Sequence, residues 1–154
     1  MRALLASVYA PPAASQPWRL EELLPGADIR YYSFARRARA DGLRLSRAGK
    51  VLLPGFLCRD VLSSLSAVGA EAAFYPVDSR LNPAAAPEAW PKADAVLAVD
   101  YFGFPQDLTP FKAYCARTGA VLIEDAAHAL FSRYASGALL GSRGDLGLFS
   151  LRKT

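Results

Sequence analysis

The sequence predicts an α/β fold built on a mainly parallel sheet with helices on both faces. Three observations carry that prediction. Apolar runs of strand length alternate with segments of helical spacing. The runs KVLLP (50–54), AVLAVD (95–100), AVLI (120–123) and LGLFSL (146–151) are continuous rather than alternating apolar with polar. Such runs suit strands covered on both faces. Caps and breakers fall between the runs, where crossover helices are needed.

The elements follow in order. Pro11, Pro12, Pro17 and Pro25 break residues 1–30, leaving room for one or two short amphipathic turns around Trp18, Leu20, Leu23 and Leu24. This stretch reads as an N-terminal arm that packs on something else, and residues 31–154 as the folded body. A helix is expected from Ser33 as N-cap, with Phe34, Ala35, Ala38, Leu43 and Leu45 on one face. Strand 50–54 follows. Asp60 caps a helix carrying Val61, Leu62, Leu65 and Val68, with Gly69 past its end. Strand 72–77 comes next, then a proline-rich loop with Pro83, Pro87 and Pro91. Strand 95–100 ends at Gly103 and Pro105. Thr109 caps a helix with Pro110 at its first position, where the missing N–H costs nothing. Gly119 closes that helix. Strand 120–123 ends at Glu124 and Asp125, and strand 146–151 follows a glycine-rich loop.

The chain has 154 residues and is 53% hydrophobic, enough for one globular unit and too apolar for disorder. Cys58 and Cys115 are too few for a disulfide framework and suit a reducing compartment. The first apolar run is short and broken by Pro11 and Pro12, so it makes a poor signal peptide. No stretch reaches the roughly 18 apolar residues of a membrane span. These points predict a cytoplasmic protein with no membrane partner. The net charge of +4 is concentrated in Arg36, Arg37, Arg39, Arg44 and Arg47. Such a cluster can meet phosphates of nucleic acid, of a nucleotide substrate or of a cofactor; read plainly, it forms a solvated helix face whose stems cover apolar neighbours. No aromatic interleaving or nucleic-acid motif accompanies it, so nucleic acid is not the expected partner.

In parallel sheets, ligands bind at the carboxyl ends of strands. Asp100, Asp125, Ser150 and Lys153 lie at such ends. An acid and a lysine there can also be an ordinary salt bridge at the sheet rim, and position alone leaves both readings open. A lone histidine such as His128 on an alanine-rich turn is equally open. No GxGxxG follows a strand, GxxxxGK[ST] is absent, and one histidine with two cysteines gives no metal spacing.

The words around these residues add more. Phe102-Gly103, then Glu124-Asp125-Ala126-Ala127-His128, Gly141-Ser142-Arg143-Gly144-Asp145, and Phe149-Ser150 with Lys153 appear in that order. Upstream stand VLLPGFLC (51–58) and GAEAAFYPVD (69–78). This pattern, over residues 30–154, resembles the DegT/DnrJ/StrS family of sugar aminotransferases that use pyridoxal 5'-phosphate (PLP). The resemblance implies that residues 31–154 are part of the family's PLP-binding large domain, stopping one residue past the cofactor lysine. It implies amino transfer from an amino acid, glutamate by analogy, to a keto-sugar nucleotide, in a homodimer. The alternative is a silent fragment or divergent member that keeps the fold for dimerisation or binding.

The resemblance also assigns residues. Lys153 would hold the cofactor covalently and move protons, and Asp125 would keep the ring nitrogen protonated. His128 would contact the ring hydroxyl. Ser33, Phe34, Ala35 and Ser150 would receive the phosphate. The family's ring-stacking aromatic falls at Cys58, so stacking is either lost or supplied by Phe56.

Overall fold

The computed structural model describes residues 2–6 and 20–151. Its elements run β1 (Arg2–Ala6), α1 (Leu20–Leu23), β2 (Asp28–Tyr32), α2 (Ala35–Leu45), β3 (Lys50–Pro54), α3 (Asp60–Ser66) and β4 (Glu71–Tyr75). Then come β5 (Ala95–Val99), α4 (Thr109–Thr118), β6 (Val121–Ala126) and β7 (Leu146–Ser150). The seven strands form one sheet in the order β2-β1-β7-β6-β5-β3-β4. Every neighbouring pair is parallel, as the continuous apolar runs predict.

Side chains alternate between the two faces of each strand, and two cores result. On one face, Ala38 and Leu43 of α2 and Val61 and Leu65 of α3 pack on Val51, Leu53, Leu97, Ile123, Leu146 and Leu148. On the other, Phe111 and Tyr114 of α4 pack with Tyr75 and Trp90 over Leu52, Val96 and Leu122. Tyr75 and Trp90 stack with centroids 5.0 Å apart. Their polar atoms are served: Tyr75 donates its hydroxyl to Leu97 O at 2.9 Å, and Trp90 Nε1 donates to Ala85 O at 3.0 Å. Buried aromatic rings thereby add apolar area without leaving unpaired groups. Among the described residues, no helix is long and apolar enough to cross a membrane.

Several boundaries differ from the expectation. Arg2–Ala6 lies inside the sheet, paired with β2 on one side and β7 on the other, where the sequence suggested an arm. Helix α2 starts at Ala35 with Phe34, not Ser33, at the N-cap and no side-chain cap bond. Its first bonds run from Arg37 N and Ala38 N to Phe34 O, so Ser33 stands one residue too early. At α4 the side chain that caps belongs to Asp107, whose Oδ1 accepts from Thr109 N at 2.9 Å. Glu124 and Asp125 do not end their strand but lie within β6. Gly119 ends α4 in the left-handed region (φ 76°), as expected for a helix-terminating glycine.

Candidate active site

The carboxyl end of the sheet holds a cavity of about 340 Å³. Its walls come from four places: Ala35 and Arg39 of α2, the 56–61 segment after β3, residues 99–102 after β5, and Asp125 to His128. This is the position that parallel-sheet topology favours for a ligand.

Asp125 is the anchoring group. Its side chain is buried and forms a 2.9 Å ion pair with Arg39 Nη2. Arg39 Nη1 also donates to Ser64 Oγ at 3.2 Å. The other Asp125 oxygen accepts from Ala127 N at 3.1 Å, which fixes the turn leading to His128. Arg39 was expected on a solvated face with its four neighbours. It is instead only 6% exposed, whereas Arg36, Arg37, Arg44 and Arg47 are exposed. The spacing carried the signal: Arg39 lies four residues from both Ala35 and Leu43, on the inward stripe of α2.

The adjacent residue does different work. Glu124 is fully buried on the opposite face of β6. It accepts from the Tyr134 hydroxyl, from Arg143 N at 2.9 Å and from Gly144 N at 3.1 Å. Asp145 Oδ2 accepts from Leu122 N at 2.8 Å. These bonds tie the 141–145 loop to β6, so the two sequence motifs are halves of one structure. Gly147 is obligatory there, because a Cβ at that position would meet Gly141 O at 2.0 Å.

Asp100 follows β5 and is 1% exposed. Its Oδ1 accepts from Gln106 N at 3.0 Å. Burial, reinforced by the Glu124 and Asp125 charges and opposed by the Gln106 N–H, pushes its carboxyl up to about 8. The Tyr101 phenol is pushed up to about 12 by burial and by Asp125. Tyr101 donates its hydroxyl to Phe56 O, and the two rings sit 5.9 Å apart. Phe102 stacks on the His128 ring at 6.3 Å. The turn is close because position 103 is glycine: φ is 85°, and a Cβ would lie 3.0 Å from His128 O.

Five of the residues that the family resemblance assigned therefore line one cavity, Ala35, Phe56, Cys58, Asp125 and His128, together with the strand-end acid Asp100. Ser33, Phe34 and Ser150 are not among its walls. Phe34 turns outward under the Arg36 guanidinium, 4.5 Å from its ring centroid. Ser150 ends β7 and is buried. Strand alternation puts it on the face of Leu146 and Leu148, the same face as Asp125. Lys153 lies outside the described residues. Sequence reasoning assigned no role to Arg39 or Tyr101, and it noted Asp100 only for its place at a strand end.

A model of the DegT/DnrJ/EryC1/StrS aminotransferase family matches residues 40–154. Solved structures share the fold. S. venezuelae DesV, determined in complex with a ketimine intermediate, is 26% identical with a TM-score of 0.64, over 75% of this chain and 33% of its own. The aminotransferase TlmJ from Streptoalloteichus hindustanus is 29% identical with a TM-score of 0.62, over 72% of this chain and 32% of its own. DesI, determined in the presence of its TDP-sugar product, is 26% identical with a TM-score of 0.57, over 70% of this chain and 29% of its own. The chain thus spans about a third of the length of these structures.

Proposed function

The chain belongs to the DegT/DnrJ/EryC1/StrS aminotransferase family, and from that premise we propose that its cavity is a PLP site serving amino transfer to a keto-sugar nucleotide. The amino donor in this reading is an amino acid, glutamate by family resemblance. The whole reaction belongs to a protein of the length of the relatives.

One observation carries the proposal: a buried carboxylate, paired with an arginine and fixed on the wall of a small cavity at the carboxyl end of a parallel sheet. The residues present fit the cofactor. A carboxylate offers about four lone-pair sites, and Arg39 and Ala127 N occupy two of those on Asp125. Capacity remains for the N–H of a pyridine ring. A volume near 340 Å³ lies at the small end of ligand pockets. The first turn of α2, at Ala35, presents N–H groups that have no intrahelical partners, the usual seat of a phosphate.

The roles follow from the chemistry of each group. Asp125 holds a proton on the ring nitrogen, because a negative charge nearby favours the charged form of a base. Arg39 pairs with Asp125 and holds it in place. His128 would contact the ring hydroxyl, and Phe56, next to Tyr101, would cover the ring. Ala35 is the cavity-wall residue of the phosphate seat; Ser33, Phe34 and Ser150, which lie outside that wall, would have to reach it from beside the cavity. Lys153 attaches the cofactor, which supplies an electron sink when bound. The exposed rings of Phe56 and Phe102, both on the cavity wall, suit a homodimer partner, since exposed apolar groups favour association.

The second reading, a silent member that keeps the fold for binding or dimerisation, is favoured by one feature. Asp125 already has a cationic partner in Arg39. Trapping separates the two readings. The protein is incubated with PLP, reduced with borohydride and mapped by peptide. The proposal expects a single adduct on Lys153, and the absence of an adduct on any lysine contradicts it.

A further inference from the structure

Three carboxylates crowd the ends of β5 and β6. Asp100, Glu124 and Asp125 are 1%, 0% and 6% exposed. Ala98 pairs in register with Glu124 and Val99 with Asp125, and Asp100 N donates to Asp125 O at 3.0 Å. Alternation directs Asp100 and Glu124 to one face of the sheet and Asp125 to the other. Around them stand Arg39 from α2, Tyr101 from the turn after β5, and Tyr134 and Arg143 from the loop before β7. Arg39 is engaged with Asp125. The Arg143 guanidinium lies over the Tyr134 ring, 4.3 Å from its centroid. Among the described residues, no ion pair reaches Asp100 or Glu124.

We infer that Asp100 is the neutral member of this trio: it keeps a proton on Oδ2 and donates it to Glu124, acting as a positioning residue for the cavity floor. Asp100 Oδ2 is buried and has no hydrogen-bond partner when treated as a carboxylate oxygen. A bare ionised oxygen in that position is costly. Protonated, the same atom becomes a donor, and Glu124 is the acceptor at hand. Two like charges sharing a buried site do not both ionise. The upward displacement of the Asp100 carboxyl, with burial as its largest cause and Glu124 as a contributor, agrees.

Two consequences follow. Asp125 is left as the member of the trio that faces Arg39, with which it is paired. Glu124 accepts the Asp100 proton's hydrogen bond and keeps its hold on Arg143 N and Gly144 N, so the 141–145 loop is tied down through the Asp100 proton. Neither consequence depends on the amino-transfer reading.

The sign of the pH dependence is fixed. Asp100 sits near 8 when folded and near 3.9 when unfolded. The folded chain therefore binds one more proton than the unfolded chain between about pH 4 and pH 8. The stability this group lends is complete below about pH 4 and is lost as pH rises through about 8.

Asp100→Asn tests the inference, because the amide keeps the shape and the donor without the titration. Urea unfolding of wild type and variant is compared from pH 5 to pH 9. The wild type should gain on the variant by about tenfold in unfolding constant per pH unit as pH falls from about 7 to about 5, and the difference should flatten above about 8. The infrared carboxylic-acid band of the wild type should be present at pH 7, disappear above about pH 8, and be absent from the variant. A pH-independent difference, or no such band at pH 7, overturns the inference. If Asp100→Asn does not fold, Glu124→Gln decides: it should move the loss of the wild-type band to lower pH, and an unmoved band overturns the pairing.

Discussion

The two faces of β6 hold carboxylates one residue apart, and the structure uses them differently. Glu124 is sealed among one hydroxyl and two backbone N–H groups, all donated by the loop that precedes β7. Asp125 has one backbone N–H and one cation, and its side chain borders a cavity. The first arrangement fills most of an acceptor from within one loop and builds structure. The second binds a charge to a charge drawn from a distant helix and leaves room for a third partner. Residue type does not separate the two roles, since both are acids at the end of the same apolar run. The face of the sheet separates them.

The comparison can be broken most severely at Arg39. Arg39→Leu leaves Asp125 buried and uncompensated, which costs about 3–5 kcal/mol in such pairs. Urea unfolding at pH 7 should show that loss, and an unchanged stability would mean that Asp125 is not charged in the folded protein. On the other face, Tyr134→Phe removes one donor from Glu124 and nothing from Asp125. It should cost about 1–3 kcal/mol and leave ligand binding in the cavity unaltered. A variant that weakened binding as much as it weakened folding would show that the two faces are coupled.

Much of the sheet was legible because its inner strands carry a strong signal. KVLLP, AVLAV and LGLFS are largely buried on both sides, and short continuous apolar runs bounded by breakers suit strands of a parallel sheet. The edge strands were harder. DIRYY (β2), at one edge, has no fully buried residue, and Asp28 and Arg30 interrupt its apolar run. EAAFY (β4), at the opposite edge, hides only Ala73 and Tyr75. Arg2–Ala6 lies inside the sheet, but five residues followed by prolines are too short to show a period, and no turn residue precedes them to mark a strand start.

The site was legible where the motif names the residue and opaque where the fold decides the environment. Asp125 and His128 stand beside each other in the sequence and in the cavity wall. Arg39 looked like one of five surface arginines, because only the phase of α2 distinguishes it. Asp100 was visible as a strand-end acid, but its buried state depends on the Gln106 turn and on Glu124 across the strand pair. The phosphate seat remains the part least gathered by the structure: Ala35 lines the cavity, while Phe34 faces outward and Ser150 stands at the end of β7.

The most direct measurement is a calorimetric titration of wild type and Asp125→Ala with pyridoxine 5'-phosphate, which lacks the aldehyde and cannot bond to any lysine. It reads the cavity by itself. Saturable one-to-one binding by the wild type, weakened about tenfold or more in Asp125→Ala as expected for loss of a charge-assisted hydrogen bond, is the predicted result. Equal affinity in the two proteins, or no binding by the wild type, would contradict the assignment of this cavity to the cofactor.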